Sequence, residues 1–159
     1  MTREAEIHQY IKAQLAKIIL GQQITLFGGQ VYTFQTGAGQ LVDTNLEYTE
    51  HPDVMPSLVF YPGANSTTLE GDPAPEPGME NHLLPFSVEG FIECDKAGTE
   101  AWQLRQDISC ALKAEPWWGG LIESLNGFEA DSSVQVGDQV FAIVKISAQA
   151  LYTVPFGSE

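Results

Sequence analysis

The sequence predicts an α+β fold in which a mostly antiparallel sheet carries two helices packed on one face. Two stretches place apolar residues at helical spacing, whereas the other apolar stretches alternate with polar residues, as half-buried strands do. The chain of 159 residues is long enough for one domain that buries about two-thirds of its unfolded surface. We therefore expect a single domain over residues 1–159, with its helices against the sheet.

The first helix is predicted close to the N-terminus. Thr2 can cap its start, and Gly21 is expected to end it. Its apolar residues recur at three- and four-residue spacing: Ile7, Ile11, Leu15, Ile18 and Ile19. A short strand is predicted next in "VYTFQ" (31–35), followed by a glycine-rich turn in "TGAGQ".

Two later stretches predict an antiparallel hairpin with a long connection, a loop between two central strands. "PSLVFYPG" (56–63) is an apolar run between prolines, and "LLPFSVEGFIE" (83–93) alternates apolar and polar positions. Between them, "GANSTTLEGDPAPEPGMENH" (63–82) is acidic, contains three prolines and three glycines, and has no apolar period. We assign 62–82 to a loop, whose length indicates either a functional or a disordered segment.

A second helix is predicted over about 98–113, and Pro116 should end it. Trp102 lies beside its apolar stripe, which consists of Ala101, Leu104, Ile108, Ala111 and Leu112. "LIESLNGFEA" (121–130) is a further strand candidate.

The last predicted strand runs from Val140 to Val154 in period-two alternation. Fifteen residues would span roughly 50 Å, far beyond the usual five or six residues of a strand. Either this strand extends beyond its own domain, or two strands are joined by a bulge.

The charge balance excludes one class of partner. The chain has 21 acidic and 7 basic residues and a net charge of −14. The basic residues are scattered, so they do not form a surface for gripping nucleic-acid phosphates. A solubilising surface is the simplest role for the carboxylates. We see no signal peptide and no apolar run of the roughly 20 residues that a membrane span needs.

The sequence contains no pattern typical of a catalytic or metal site. His8, His51 and His82 have no second His or Cys at metal-ligand spacing. Cys94 and Cys110 are expected to be reduced thiols. The adjacent tryptophans 117–118 could stack on a sugar or base, although beside a helix end such a pair more often fills a core. We expect no catalytic residue, no metal and no cofactor.

The order of these segments resembles the tail terminator (tail completion) proteins of tailed bacteriophages. The segments that carry the resemblance are "EIHQYIKAQLAKIIL", "MPSLVFYPG", "LPFSVEGFIE", "AWQLRQDISCALKA" and "ALYTVPFGSE". In that family a strand near "lPsl.v", a helix with "l..di..aL" and a tail like "Y.t.pg.p" recur in this order. The resemblance covers most of the chain, but Phe156 and the long loop depart from the family pattern.

The resemblance implies a structural protein without enzyme activity, assembled as a homo-oligomeric ring that is usually a hexamer. Such a ring caps the head-proximal end of the tail tube, terminates polymerisation of the tube protein, and offers a docking surface to a neck or head–tail connector protein. Genomic DNA passes through the lumen without specific binding, and no membrane is involved. The protein would assemble in the host cytoplasm and reside in the virion at the tail–neck junction.

Two segments are candidates for the interfaces of such a ring, the acidic loop and the C-terminal tail 152–159. The candidate residues are Tyr152, Thr153, Val154, Pro155, Phe156, Gly157, Glu70, Asp72, Glu76 and Glu80. Two alternatives remain open: a head-closure or head–tail joining neck protein, and a small acidic binding module or enzyme with the loop as a lid.

Overall fold

The computed structural model describes residues 2–38, 41–42, 55–67, 77–95, 98–137 and 139–157. Within them lie two helices, α1 (Arg3–Leu15) and α2 (Thr99–Lys113), and a short 3-10 turn (Trp118–Gly120). The strands are β1 (Gln23–Thr25), β2 (Val31–Thr33), β3 (Leu41–Val42), β4 (Ser57–Pro62), β5 (Ser66–Thr67), β6 (Met79–Glu93), β7 (Ser124–Gln135) and β8 (Phe141–Pro155).

The strands form one main sheet and one separate hairpin. The main sheet has the order β3-β4-β6-β8-β7, with β5 also paired to β6, while β1 and β2 pair only with each other among the described residues. The pairing of β3 with β4 is parallel, and the other described pairings are antiparallel. The predicted α+β class with a mostly antiparallel sheet is confirmed.

Both helices pack on one face of the main sheet, as predicted. Alternate residues of the two longest strands join the helical residues in one buried cluster, including Leu84, Phe86, Val88, Val144, Ile146, Ile7, Ile11, Leu104 and Ile108. Gly90 occupies one of the helix-facing positions of β6. A Cβ atom at Gly90 would lie only 2.7 Å from Leu104 Cδ2, so the glycine lets α2 pack directly onto the strand backbone.

Helix α1 starts as predicted and ends earlier than predicted. Thr2 Oγ1 accepts a hydrogen bond from Ala5 N at 3.1 Å, which satisfies one of the free amides of the first turn. The helix stops at Leu15, so the prediction that Gly21 ends it is wrong. Gly21 N instead donates to Phe34 O at 3.1 Å, because the chain has already turned to join the β1–β2 hairpin. Ile19 is consequently 49% exposed.

Helix α2 follows the prediction closely. All five residues of the predicted apolar stripe are buried, and Trp102 is exposed. The helix ends at Lys113 with Ala114 as its C-cap, two residues before Pro116. Trp118 is fully buried, whereas Trp117 is half exposed, so only one of the two adjacent tryptophans fills the core.

No helix in the described ranges is long and apolar enough to cross a membrane.

The C-terminal strand is long because its partner is equally long. β6 and β8 pair along fifteen residues each, from Met79 opposite Pro155 to Glu93 opposite Phe141. The expectation that the strand extends beyond its domain is therefore wrong, and β8 is continuous. A register shift lies instead in β7, between Asn126 and Glu129.

The loop prediction for 62–82 is wrong at both ends. Ser66–Thr67 forms β5, and Met79–His82 belongs to β6, where it pairs with the last residues of β8. Local composition does not reveal a backbone pairing with a segment some seventy residues away. Pro85 fits within β6 because it lies opposite the gap between β4 and β5, where Gly63 N donates to Pro85 O at 2.8 Å.

The predicted ends of β2 and β7 differ from the observed ends. β2 covers only the first three residues of 31–35. β7 begins three residues into the predicted segment 121–130 and continues to Gln135. The strand predicted over 56–63 is confirmed as β4, and its antiparallel pairing with β6 is confirmed as well.

Candidate functional surface

The predicted interface residues at the end of β8 divide into a buried and an exposed group. Tyr152 is fully buried and Val154 is 4% exposed, both in the chain's own core. Thr153 Oγ1 lies 2.6 Å from Asn81 Oδ1 and 2.7 Å from Glu123 Oε1. The expectation that this part of the strand lies against a neighbour instead of its own core is therefore wrong for Tyr152 and Val154.

The exposed group lies at the end of the β6–β8 strand pair where β6 begins and β8 ends. Phe156 is 79% exposed, and its amide donates to Gly78 O at 2.8 Å. We call this end the C-terminal pole, and define it by five exposed residues: Pro77, Gly78, Pro155, Phe156 and Gly157. None of these five side chains is charged, and Glu76 and Glu159 flank them in the sequence.

Of the acidic candidates, Glu80 is the one that the structure places. Glu70, Asp72 and Glu76 lie outside the described residues. Glu80 Oε1 lies 2.9 Å from His82 Nε2, inside β6. Glu80 thus binds a residue of its own chain.

His82 is the centre of a buried polar cluster. Its Nδ1 lies 2.9 Å from Asn65 Oδ1, and its ring stacks on Tyr152 with a centroid distance of 5.1 Å. Asn65 Nδ2 in turn donates to Tyr152 Oη at 2.5 Å and to Glu4 Oε2 at 3.4 Å. The cluster joins the start of α1, the segment before β5 and both long strands. His82 is only 6% exposed, and its contacts connect these segments inside the subunit.

One further histidine and the two cysteines are reactive residue types, and each lies in a partly buried environment. Burial lowers the pKa of His8, whose ring contacts Phe60 edge-on at 5.5 Å. Cys94 and Cys110 are free thiols, as expected, and burial is the main cause that raises the pKa of each. A raised pKa reduces the thiolate fraction, whereas nucleophilic cysteines have lowered values.

A buried carboxylate anchors the β1–β2 hairpin to α2. Asp107 is fully buried and accepts hydrogen bonds from Tyr32 Oη at 2.5 Å, Gln35 N at 3.0 Å, and Thr36 N and Oγ1 at 2.7 and 2.6 Å. Both backbone amides and both hydroxyls are thereby satisfied by one side chain. This contact gives the hairpin a defined position on the helical layer.

The tip of this hairpin carries an exposed aromatic contact that sequence reasoning missed. Phe27 is 67% and Trp117 50% exposed, and their rings meet edge-on at 5.5 Å. Positive φ angles at Gly28 and Gly29 form the tight turn. β1 has only three residues, too few for a periodic pattern, so the glycine pair was the available signal.

β7 forms an edge of the main sheet in the described structure. It pairs with β8 on one side, and most of its central side chains are exposed. Asp131 lies opposite Lys145, which in turn lies opposite Glu89 on β6. Charged side chains on an edge strand oppose uncontrolled pairing with other chains, and Glu129 and Asp131 fit that role.

A cavity of about 320 Å³ lies between the end of α2 and the start of β7, lined in part by Leu112, Pro116 and Trp118. Its size is at the low end for small-molecule sites. No group of three or more His, Cys, Asp or Glu that could hold a metal occurs among the residues that the structure describes.

Neither a protein-family model nor a curated protein matches this chain.

Proposed function

We propose that this protein is a structural subunit of a tailed-bacteriophage virion, a tail terminator that assembles into a ring, most simply a hexamer. The ring caps the head-proximal end of the tail tube, terminates its polymerisation, and docks the neck or head–tail connector protein. Genomic DNA passes through the lumen of the ring. Assembly takes place in the host cytoplasm, and the subunit contributes no chemistry.

The observation that carries this proposal is the long β6–β8 strand pair, whose C-terminal pole exposes the aromatic side chain of Phe156. Fifteen residues per strand correspond to about 50 Å. A compact domain of this length has a radius of gyration of about 15 Å, which for a sphere is about 40 Å across. The β6–β8 strand pair therefore spans the subunit from one side to the other. A strand pair of this length with an exposed aromatic side chain at one end suits a subunit that contacts its ring neighbours and a second component at separate places.

The positions of the family-like motifs support the same proposal. The "lPsl.v" motif lies at the start of β4, and the "l..di..aL" motif supplies the core-facing stripe of α2 together with Asp107. The tyrosine of the terminal motif is Tyr152, a core residue. Most motif residues thus build the fold, whereas the exposed end of the terminal motif, from Pro155 to Gly157, forms part of the C-terminal pole.

Electron microscopy of the purified full chain, alone and mixed with tail tubes, tests the proposal. We expect rings of fixed symmetry bound at one end of each tube, and tubes that stop growing once capped. Phe156→Ser should reduce tube capping and leave ring formation intact. Val136→Ser is the matched control, because Val136 is 68% exposed just beyond β7, in the turn at the other end of β8.

Three results would change the assignment. A chain that stays monomeric and never binds tubes contradicts the proposal. Rings that bind head connectors but not tubes assign the protein to the neck instead. Equal capping by the Phe156 and Val136 variants removes the C-terminal pole from the interface.

A further inference from the structure

The β1–β2 hairpin lies in the longest uncharged part of a strongly acidic chain. From Ile18 to Val42 the sequence contains no Asp, Glu, Lys, Arg or His. Charged residues make up 18% of the chain, so about four would be expected in a stretch of that length. Three apolar side chains of this stretch are more than half exposed: Leu20, Phe27 and Val31.

The uncharged stretch presents a defined outer face. In the β1–β2 register, Gln23 lies opposite Thr33 and Thr25 opposite Val31, and all four residues are exposed. The other face, with Ile24 and Tyr32, packs towards the core. We call the outer face, together with Phe27 and Trp117, the hairpin surface. Its members are Gln23, Thr25, Phe27, Val31, Thr33 and Trp117.

The hairpin surface is held in place before any partner binds. Asp107 fixes the strand end through Tyr32 and Thr36, and Leu26 N donates to Gln30 O at 2.7 Å across the tip. The nearby carboxylate of Glu115 accepts a hydrogen bond from Gly119 N at 2.9 Å. Preorganised aromatic residues in a charge-depleted patch are the usual centre of a protein interface.

We infer that the hairpin surface is where a second copy of this chain docks. Two bodies that each carry −14 repel one another wherever carboxylates face carboxylates, and contact through an uncharged surface avoids that repulsion. A basic partner would instead gain most from the acidic remainder of the subunit. This inference names the contact between subunits and rests on the proposed ring assembly.

The net charge of the subunit also determines how self-association should depend on salt. Added salt screens repulsion between like-charged subunits and does not weaken an uncharged contact, so self-association should tighten at high salt. A basic partner bound to the carboxylates would show the opposite trend. Sedimentation equilibrium over a range of protein concentrations, at low and high salt, measures this directly.

Matched variants localise the contact. Phe27→Ser and Trp117→Ser should each weaken self-association of the full chain by about tenfold or more, as expected for buried aromatic anchors. Trp102→Ser is the control, because Trp102 on α2 is 51% exposed, almost the same as Trp117. Circular dichroism should confirm that all three variants fold.

The outcomes separate this inference from the proposed function. If wild type assembles and the Phe27 and Trp117 variants assemble equally well, the hairpin surface is wrong and the ring proposal stands. If association stops at a dimer that both variants disrupt, the surface is right and the ring proposal fails. A wild type that is monomeric at every concentration and salt level overturns the inference, and the capping experiment then decides the function.

Discussion

Removing the buried carboxylate of Asp107 should release the β1–β2 hairpin from α2. In Asp107→Ala, two backbone amides and the Thr36 hydroxyl lose their acceptor in a site that is fully buried. An unsatisfied buried donor costs about 1–3 kcal/mol, and such costs are not fully additive. We expect a loss of about 4 kcal/mol, a large part of the 5–15 kcal/mol that is typical of a domain.

Asp107→Asn should cost less, for a geometric reason. The amide can keep its oxygen at the position of Oδ2, where both donors of Thr36 bind at 2.6–2.7 Å. Its NH2 group would then face Tyr32 Oη, which can rotate to accept. The Thr36 bonds persist without charge assistance, whereas Gln35 N loses its bond to Oδ1 and keeps only the 3.2 Å contact with the oxygen at the Oδ2 position. We expect a loss of about 2 kcal/mol.

Urea unfolding gives these free energies, and hydrogen exchange at the Gln35 and Thr36 amides shows where protection is lost. Gln106→Ala is the control, since it removes one neutral hydrogen bond to Gln35 Nε2 of 2.8 Å from the neighbouring position and should cost about 1 kcal/mol or less. If both Asp107 variants unfold like the Gln106 variant, Asp107 does not anchor the hairpin.

Burial and then the hydrogen bond to the carboxylate raise the pKa of Tyr32 above its ordinary value of 10.0. The unfolded chain therefore ionises first, stability falls as pH rises above about 10, and Tyr32→Phe should show a shallower alkaline loss in urea titrations. Burial lowers the pKa of His8 below 6.5, so the unfolded chain binds the extra proton. Stability should then fall between about pH 7 and pH 5, and an unchanged slope in His8→Leu would refute this. Gly90→Ala should cost about 1–3 kcal/mol by overpacking against Leu104, measured by thermal unfolding, whereas Gly137→Ala, with open space around the added methyl, should be near neutral.

Local periodicity predicted the elements whose own residues determine them. The apolar stripe of α2 repeats over four turns, and β6 and β8 alternate over many residues, so each signal accumulates above the background. The Thr2 cap is equally local, because the side chain binds an amide three residues away. These elements and the α+β class followed from short-range geometry.

The errors share a cause, which is pairing between distant segments. Met79–His82 looks like part of a loop until Tyr152–Pro155 supplies its hydrogen bonds. Ile19 has helical spacing, but the chain leaves the helix to join the hairpin that Asp107 anchors, about seventy residues further on. A strand of three residues, such as β1, has too few positions to show a period.

The features of the candidate surfaces also separate into those set by local sequence and those set by contacts between distant segments. The sequence by itself determined the acidity and the buried stripes, because charge and local alternation are properties of the residues alone. The exposure of Phe156 is a finding of the structure. Only the tertiary structure decided that Tyr152 belongs to the core and that Phe27 meets Trp117 across ninety residues of chain. Burial depends on which distant segment covers a residue. Strands pair through backbone hydrogen bonds, so the side chains of a strand give little information about which segment it pairs with.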